Sequence, residues 1–294
     1  MVGSGRTFDR LKAYAFLLPN FLGFACITLG PVLASLVLAF CHWDVVTPPR
    51  LAGVGNFARM FGEPEFWQFF GNTLFLMMSI PVGMMLSLAL AVLLNRKLRG
   101  MVFFRSVYFL PSVCAGVALL MLWSWLYSPE VGLINQLIRK LTGLEGPAWL
   151  VHTAWAKPAL IIMGLWTGMG GRSMLLYLAA LQSIDPTLYE AASIDGAGPW
   201  RKFRNVTWPM LSPTTFFIFI MSVIGGFQTG FQQAYVMTKG GPAGATTTLS
   251  YYIFTEAFVE LSMGYASAVA WFLFLLVFAV TLVNWRFGGK LVHY

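Results

Sequence analysis

The chain has 294 residues, of which 58% are hydrophobic types and only 10% are charged, against roughly 25% charged in a soluble domain. Its 19 basic and 11 acidic residues give a formal charge of +8, and they fall in short clusters between long uncharged runs, with a mean hydropathy of +0.72. This composition excludes a water-soluble enzyme, a disordered tail protein and a nucleic-acid binder.

A helix crossing the ~30 Å hydrocarbon core needs about 20 mostly apolar residues. In chain order the qualifying stretches are 13–40, 68–94, 104–127, 158–181, 214–237 and 262–287. The first follows Arg6, Arg10 and Lys12, like the start of a signal peptide. Its apolar run is far longer than a signal peptide's, and Leu38–Cys41 makes a poor cleavage or lipidation site, so it reads as a retained helix. Basic residues cluster at Arg6–Lys12, Arg96–Arg105, Arg201–Arg204 and Arg286–Lys290. The opposite ends of the spans carry only Arg50, Arg59, Arg139, Lys140, Lys157 and Lys239. The richer side is expected to be cytoplasmic, which puts both termini inside. Segments 41–67, 128–157 and 238–261 then lie outside, and Leu133, Leu137 and Leu141, four apart, predict a short amphipathic helix on the outer surface.

Chemistry-bearing groups are sparse. Cys26, Cys41 and Cys114 show neither disulfide nor metal spacing. His42, His152 and His293 are single loop residues, and no acidic residue lies in mid-span. Ion-coupled secondary carriers place Asp, Glu or His within the spans, so that class is disfavoured. Gly168–Ser173 lacks the spacing of a phosphate-binding loop. Gly164 with Gly168, and Gly226 with Gly230, form small-xxx-small pairs that read as helix packing. No catalytic residue, metal ligand or cofactor site is identified.

The loop 182–213 is more informative. Asp185-Pro186 is a good helix start, an acidic N-cap followed by proline at the first helical position. Leu188, Ala191 and Ala192 lie at helical spacing and give a small-residue face beside Glu190. Gly196 and Gly198 break the helix, a second short helix from Trp200 to Val206 carries the basic cluster, and Pro209 and Pro213 lead into the fifth span. A helix–turn–helix outside the bilayer, small on one face and charged on the other, is shaped to dock in a groove of another protein.

The run Glu190-Ala191-Ala192-Ser193-Ile194-Asp195-Gly196-Ala197, followed by Pro209, resembles the EAA loop of ABC-importer permeases, with Trp208 before the proline where that family usually has leucine. A second signature is similar to carbohydrate-uptake permeases, in particular the maltose-type first permease subunit. It comprises Thr238–Pro242, Ala245–Thr248, Tyr252 and Gly264–Ala268, with Asn72-Thr73 and Ala179–Ser183 in agreement. The likeness covers about residues 55–286. It implies an all-α polytopic protein of the type I ABC importer permease fold, with an N-terminal part at 1–64, a permease core at 65–287 and a tail at 288–294. It implies that Glu190, Ala191, Ala192, Asp195 and Gly196, in the loop 185–206, couple to a separate ATPase. It further implies import of a sugar or sugar-like solute across the bacterial plasma membrane, with a glycerol phosphate or other non-sugar solute as the alternative. The implied partners are a second permease subunit, two ATP-binding subunits, an extracytoplasmic binding protein and membrane lipid.

Residues of the solute pathway are sought among polar groups that lipid would penalise. Ser222, Gln228, Thr229, Gln232 and Gln233 lie in the fifth stretch, and Gln228 and Gln232, four apart, share a face. They are expected either to line the pathway or to bond between helices, and Trp166 is a candidate stacking platform. Arg172 is the one charge well inside a span, eighteen residues before Glu190, or about 27 Å along a continuous helix. Its alternatives are a structural role and recognition of an anionic or densely hydroxylated solute through its planar donor fork.

Overall fold

The computed structural model describes residues 4–96, 100–114, 116–228 and 230–288. Lys97, Arg99, Thr229, Lys290 and His293 lie outside the described residues, as do the side chains of Arg6, Arg10 and Lys12. Five helical runs are long and apolar enough to cross a membrane: Tyr14–Ala39, Pro64–Leu94, Thr153–Ser183, Pro199–Thr238 and Met263–Arg286. The third expected span is instead two helices, Met101–Val113 and Gly116–Leu126, bent by 95° at the break. Pro111 lacks the amide that would bond in the last turn of the first helix, and Cys114 beyond it is extended at φ −64°, ψ 145°. The chain clusters into two compact units.

The first unit comprises the residues up to Glu63 together with Ile253–Phe272. Helices α1 (Ser4–Gly23) and α2 (Gly30–Ala39) are joined without a break by a π turn, Phe24–Leu29. A two-stranded antiparallel hairpin follows, β1 (Cys41–His42) and β2 (Arg50–Leu51), then α3 (Gly55–Gly62). Buried Asn56 on α3 donates to the carbonyls of Ala39 and Cys41 at 2.9 and 2.8 Å, satisfying backbone that the end of α2 leaves open. Arg59 Nε bonds Glu63 at 2.7 Å, and its guanidinium lies 4.0 Å over the Tyr265 ring. The Tyr265 hydroxyl also donates to Glu63 at 2.7 Å, which ties α3 to the start of the last span.

The second unit runs from Pro64 to Tyr252 and resumes at Leu273. It holds α4 (Pro64–Met77), α5 (Ser79–Leu94), α6 (Met101–Val113), α7 (Gly116–Leu126), α8 (Leu133–Thr142), α9 (Thr153–Met169) and α10 (Arg172–Ser183). Next come α11 (Pro186–Ile194), α12 (Pro199–Lys202), α13 (Trp208–Gln228) and α14 (Phe231–Gln233). The helices α15 (Leu249–Phe254) and α16 (Met263–Gly288) complete the order. One core cluster joins Leu88, Ala91 and Leu94 of α5 to Met174, Tyr177 and Leu181 of α10 and to Leu211 and Ile218 of α13. A second joins Leu120, Trp123 and Tyr127 to Trp149, Ala159 and Met163 near the opposite end of the fourth span.

The fourth span is interrupted at Gly170-Gly171, where any side chain at 170 would collide with the Tyr108 carbonyl of α6. The continuous helix assumed between Arg172 and Glu190 is also absent, because α10 ends at Ser183 and α11 begins only at Pro186. Arg172 opens α10, whose 12 residues rise about 18 Å, and Ile184 is extended before the loop begins. The second short helix of the loop also differs from expectation. Instead of stopping before the fifth span, α12 continues through a π turn, Phe203–Thr207, into α13. A proline clashes with the carbonyl four residues before it, and the wider π turn falls on that residue, Asn205 for Pro209 and Ile27 for Pro31. The prolines are absorbed without ending either helix.

Candidate coupling loop and solute pathway

The loop is a short helix held at both ends by its own sequence. At its start the Asp185 carboxylate accepts the Thr187 amide at 2.9 Å and Pro186 occupies the first turn. The Thr187 backbone amide first, and its side chain second, hold the Asp185 carboxyl below its ordinary range. At its end Gly196 takes φ +72°. The Ala197 amide bonds back to the Ala192 carbonyl at 2.9 Å and the Gly196 amide to Ser193 at 3.1 Å, the pair of bonds that terminates a helix through a left-handed residue. Two side-chain bonds staple α11 to the entry of the fifth span. The Tyr189 and Thr207 hydroxyls lie 2.9 Å apart, and Lys202 donates to Ser193 at 2.5 Å.

This stapling decides what the loop presents. Tyr189 and Ala192 turn inward, while Glu190, Ala191, Asp195 and Gly196 are exposed. Two apolar residues that the motif did not single out are also exposed. Ile194 is 87% exposed, and Trp200, 71% exposed, stacks on Phe203 with centroids 5.7 Å apart. An isoleucine between serine and aspartate in a solvated loop was the available signal. The outward face is therefore apolar knobs flanked by carboxylates, suited to fill a groove.

The residues expected along the pathway are split by the structure. A cavity of about 290 Å³ is lined by hydroxyls of Thr73, Ser87, Thr167, Ser173, Ser222 and Thr248, with Gly83, Gly164, Gly168, Gly226 and Gly230 in its wall. A second, of about 440 Å³, is lined by Gln228 and Gln232 with Gly116, Leu120, Met163 and Phe231. Thr167 and Gln233 border both. No charged side chain lines either cavity among the described residues. Trp166 lines neither and meets Trp123 edge-on at 5.5 Å. Arg172 also lines neither. It is exposed at the first turn of α10, with no hydrogen bond or ion pair among the described residues. Gly164 and Gly168 differ from the packing role expected of them, because a Cβ at either would meet nothing within 4 Å. Gly226 and Gly230 do pack closely, against Ile80 and Thr248.

The threonine-rich signature after the fifth span folds as a self-bonded plug. Thr238 and Thr246 hydroxyls lie 2.6 Å apart, and Thr246 donates to Gly241 at 2.7 Å. Asn72, 2% exposed, donates to the carbonyls of Gly244 and Thr247 at 2.8 and 2.9 Å, and Gln68 donates to Ala243 at 2.9 Å. The Leu249 amide bonds Thr73 at 3.0 Å. Asn72-Thr73 thus clamps this loop from α4, a pairing across the sequence that no local pattern reveals.

The family model for the binding-protein-dependent transport system inner membrane component matches residues 79–288. The chain belongs to this family. The probable ABC transporter permease protein YesP of Bacillus subtilis is 36% identical over 291 residues, covering 97% of this chain and 93% of the relative. The lactose transport system permease protein LacF of Rhizobium radiobacter is 37% identical, covering 91% and 90%. The sn-glycerol-3-phosphate transport system permease protein UgpA of Yersinia pestis is 35% identical, covering 83% and 82%. In fold the permease matches a chain of a bacterial ABC transporter involved in import of the acidic polysaccharide alginate, with a TM-score of 0.86 at 24% identity, covering 97% and 99%. The all-α ABC importer permease fold read from the loop motif is the fold observed, and the permease is an inner-membrane component.

Proposed function

We propose that this permease carries a sugar or sugar-like solute through half of a pathway that a second permease subunit completes. The observation that carries the reading is a pair of cavities whose polar lining is hydroxyls and side-chain amides, set among glycines and apolar side chains such as Leu76, Ile80, Leu120 and Met163, with no charge among the described residues. Such a wall exchanges hydrogen bonds with a neutral polyhydroxylated solute at little desolvation cost. The lactose relative supports the same class. The solute arrives from an extracytoplasmic binding protein. One of two ATP-binding subunits receives the exposed face of the loop 185–206, with Glu190, Ala191, Asp195 and Gly196 at the contact and Ala192 packed behind them, and the chain has no ATPase site of its own. ATP binding closes the ATPase pair, α11 moves as a rigid lever stapled to α12 and the fifth span, and the helices pass between two arrangements that open the pathway to alternate sides. Both termini lie in the cytoplasm on this reading, following the basic clusters.

A second reading rests on Arg172, exposed at the start of a helix with no partner in the described residues. The glycerol-phosphate relative and the alginate importer in the fold comparison favour testing an anionic solute. Uptake of labelled neutral oligosaccharides, a uronate oligomer and glycerol 3-phosphate should be compared in cells lacking the permease, complemented with wild type or Arg172→Gln. Neutral-sugar uptake that survives the substitution is expected. Uptake confined to the anionic solutes and lost with Arg172→Gln would replace the neutral-sugar reading with the second one.

A further inference from the structure

Helix α8 is built with its polarity distributed over three sides. One side faces the protein: Ile134 and Ile138 pack against the cluster of Tyr127, Trp149 and Met163, and Asn135, 2% exposed, accepts the Trp149 indole N–H at 2.7 Å and donates to Pro147 at 3.1 Å. A side chain at Gly146 would collide with Asn135, so the following loop is pressed against this side. The adjoining side is a leucine stripe one turn apart, Leu133, Leu137 and Leu141, continued by Leu144, and these are 51, 58, 75 and 69% exposed. The third side carries Gln136, Arg139 and Lys140, all exposed.

The stripe lies on the connection between two apolar spans. The helix connects α7 to α9, the ends of the third and fourth spans, and Tyr127 at the end of α7 donates to Ala159 of α9 at 2.8 Å, fixing the two ends together. Trp125 and Trp155 flank this level, 48 and 43% exposed, as indoles do at a membrane–water boundary. We propose that α8 lies in the headgroup boundary of the leaflet opposite the coupling loop, with its leucine stripe among the acyl chains and Arg139 and Lys140 at the lipid phosphates. The protein side prevents the helix from rolling, so the stripe has one direction in which to point, and α8 fixes the depth of the third and fourth span ends. A helix with separate apolar, cationic and protein-bound sides is what interfacial seating requires. The proposal uses only the membrane spans and is independent of the solute and of the ATPase contact.

The test uses the assembled transporter in nanodiscs of mixed zwitterionic and anionic lipid, with Cys26→Ser and Cys114→Ser removing the exposed thiols and an environment-sensitive fluorophore on Leu137→Cys, Leu141→Cys or Gln136→Cys. At 137 and 141 the emission should shift to the blue and be quenched by lipids carrying a nitroxide near the glycerol, and the probe at 136 should be quenched by aqueous iodide. Iodide quenching at all three positions would place the stripe in water and overturn the proposal. Protection of 137 and 141 from both quenchers would show that another protein subunit covers the stripe, which overturns it equally.

Discussion

Gly196 concentrates the local requirement of the coupling loop. Space around it is open, so a side chain meets no steric barrier and the obstacle is its φ of +72°. Left-handed backbone costs an L-residue about 1–2 kcal/mol, enough to fray a helix as short as α11. Gly196→Ala should therefore weaken the helix end without blocking membrane insertion, seen as faster amide exchange at Gly196 and Ala197 than in wild type; unchanged exchange would show the cap is dispensable. Asp185 works at the other end. Its folded carboxyl titrates below the ordinary value of 3.8, so the cap contributes fully above that value and is lost as pH falls through the lower, folded value. Protection of the Thr187 amide should hold at neutral pH and be lost as pH falls below 3.8, and Asp185→Asn should remove that pH dependence. The short capped helix that carries Glu190, Ala191 and Ala192 and ends at Asp195-Gly196 was legible because its start and stop signals are contiguous in the sequence. Ile194 and Trp200 were not, because their prominence depends on α11 being stapled inward through Tyr189 and Lys202. Asn72 was legible only as part of a resemblance, since its two carbonyl partners lie more than 170 residues away. Asn72→Ala removes the side-chain donor to the Thr247 carbonyl and one of two donors to the Gly244 carbonyl, which keeps the Thr247 amide, and should cost roughly 1–3 kcal/mol, measured as a lower melting temperature of the detergent-solubilised protein.

Among the elements, the spans were read well from length and apolarity, and their breaks were not. The interruption at Gly170-Gly171 lies where two backbones cross, information that resides in tertiary contact rather than in either segment, and the 95° bend after α6 follows Pro111, which a count of length and apolarity passes over. The prolines misled in the opposite direction, since Pro209 and Pro213 suggested a separate helix where a π turn carries the chain straight into α13. The glycines make a sharper prediction. Gly164 and Gly168 face open space in the cavity wall, so Gly164→Val and Gly168→Val should insert normally and reduce uptake by narrowing the route. Gly170→Val should fail at folding because of the Tyr108 carbonyl. Normal uptake by the first two would remove this cavity from the pathway. For the second cavity, cysteines at 228 and 232 should react with a polar thiol reagent at rates that change with ATP or solute. Inertness in every state, while the opposite face of α13 reacts, would mean that these glutamines bond between helices instead.

The whole molecule was identifiable from one exposed loop more readily than from its transmembrane mass. Apolar helices share a composition whatever they carry, so the spans specify a solvent, the bilayer, and little else. The loop must match another protein's groove, and that requirement leaves a pattern in the sequence. The solute has left a fainter record, because hydroxyl and glycine walls are chemically undemanding and their assembly draws on α4, α5, α9, α10 and α13 at once. The central claim is that the loop 185–206 transmits ATPase motion to this bundle. It is tested most directly by reconstituting the complete importer with Glu190→Ala or Gly196→Val and measuring membrane insertion, ATPase co-purification, ATP hydrolysis and solute uptake on the same preparations. The account predicts normal insertion with uptake lost, accompanied either by loss of the ATPase from the complex or by hydrolysis that no longer drives transport. Wild-type uptake by both variants would contradict it.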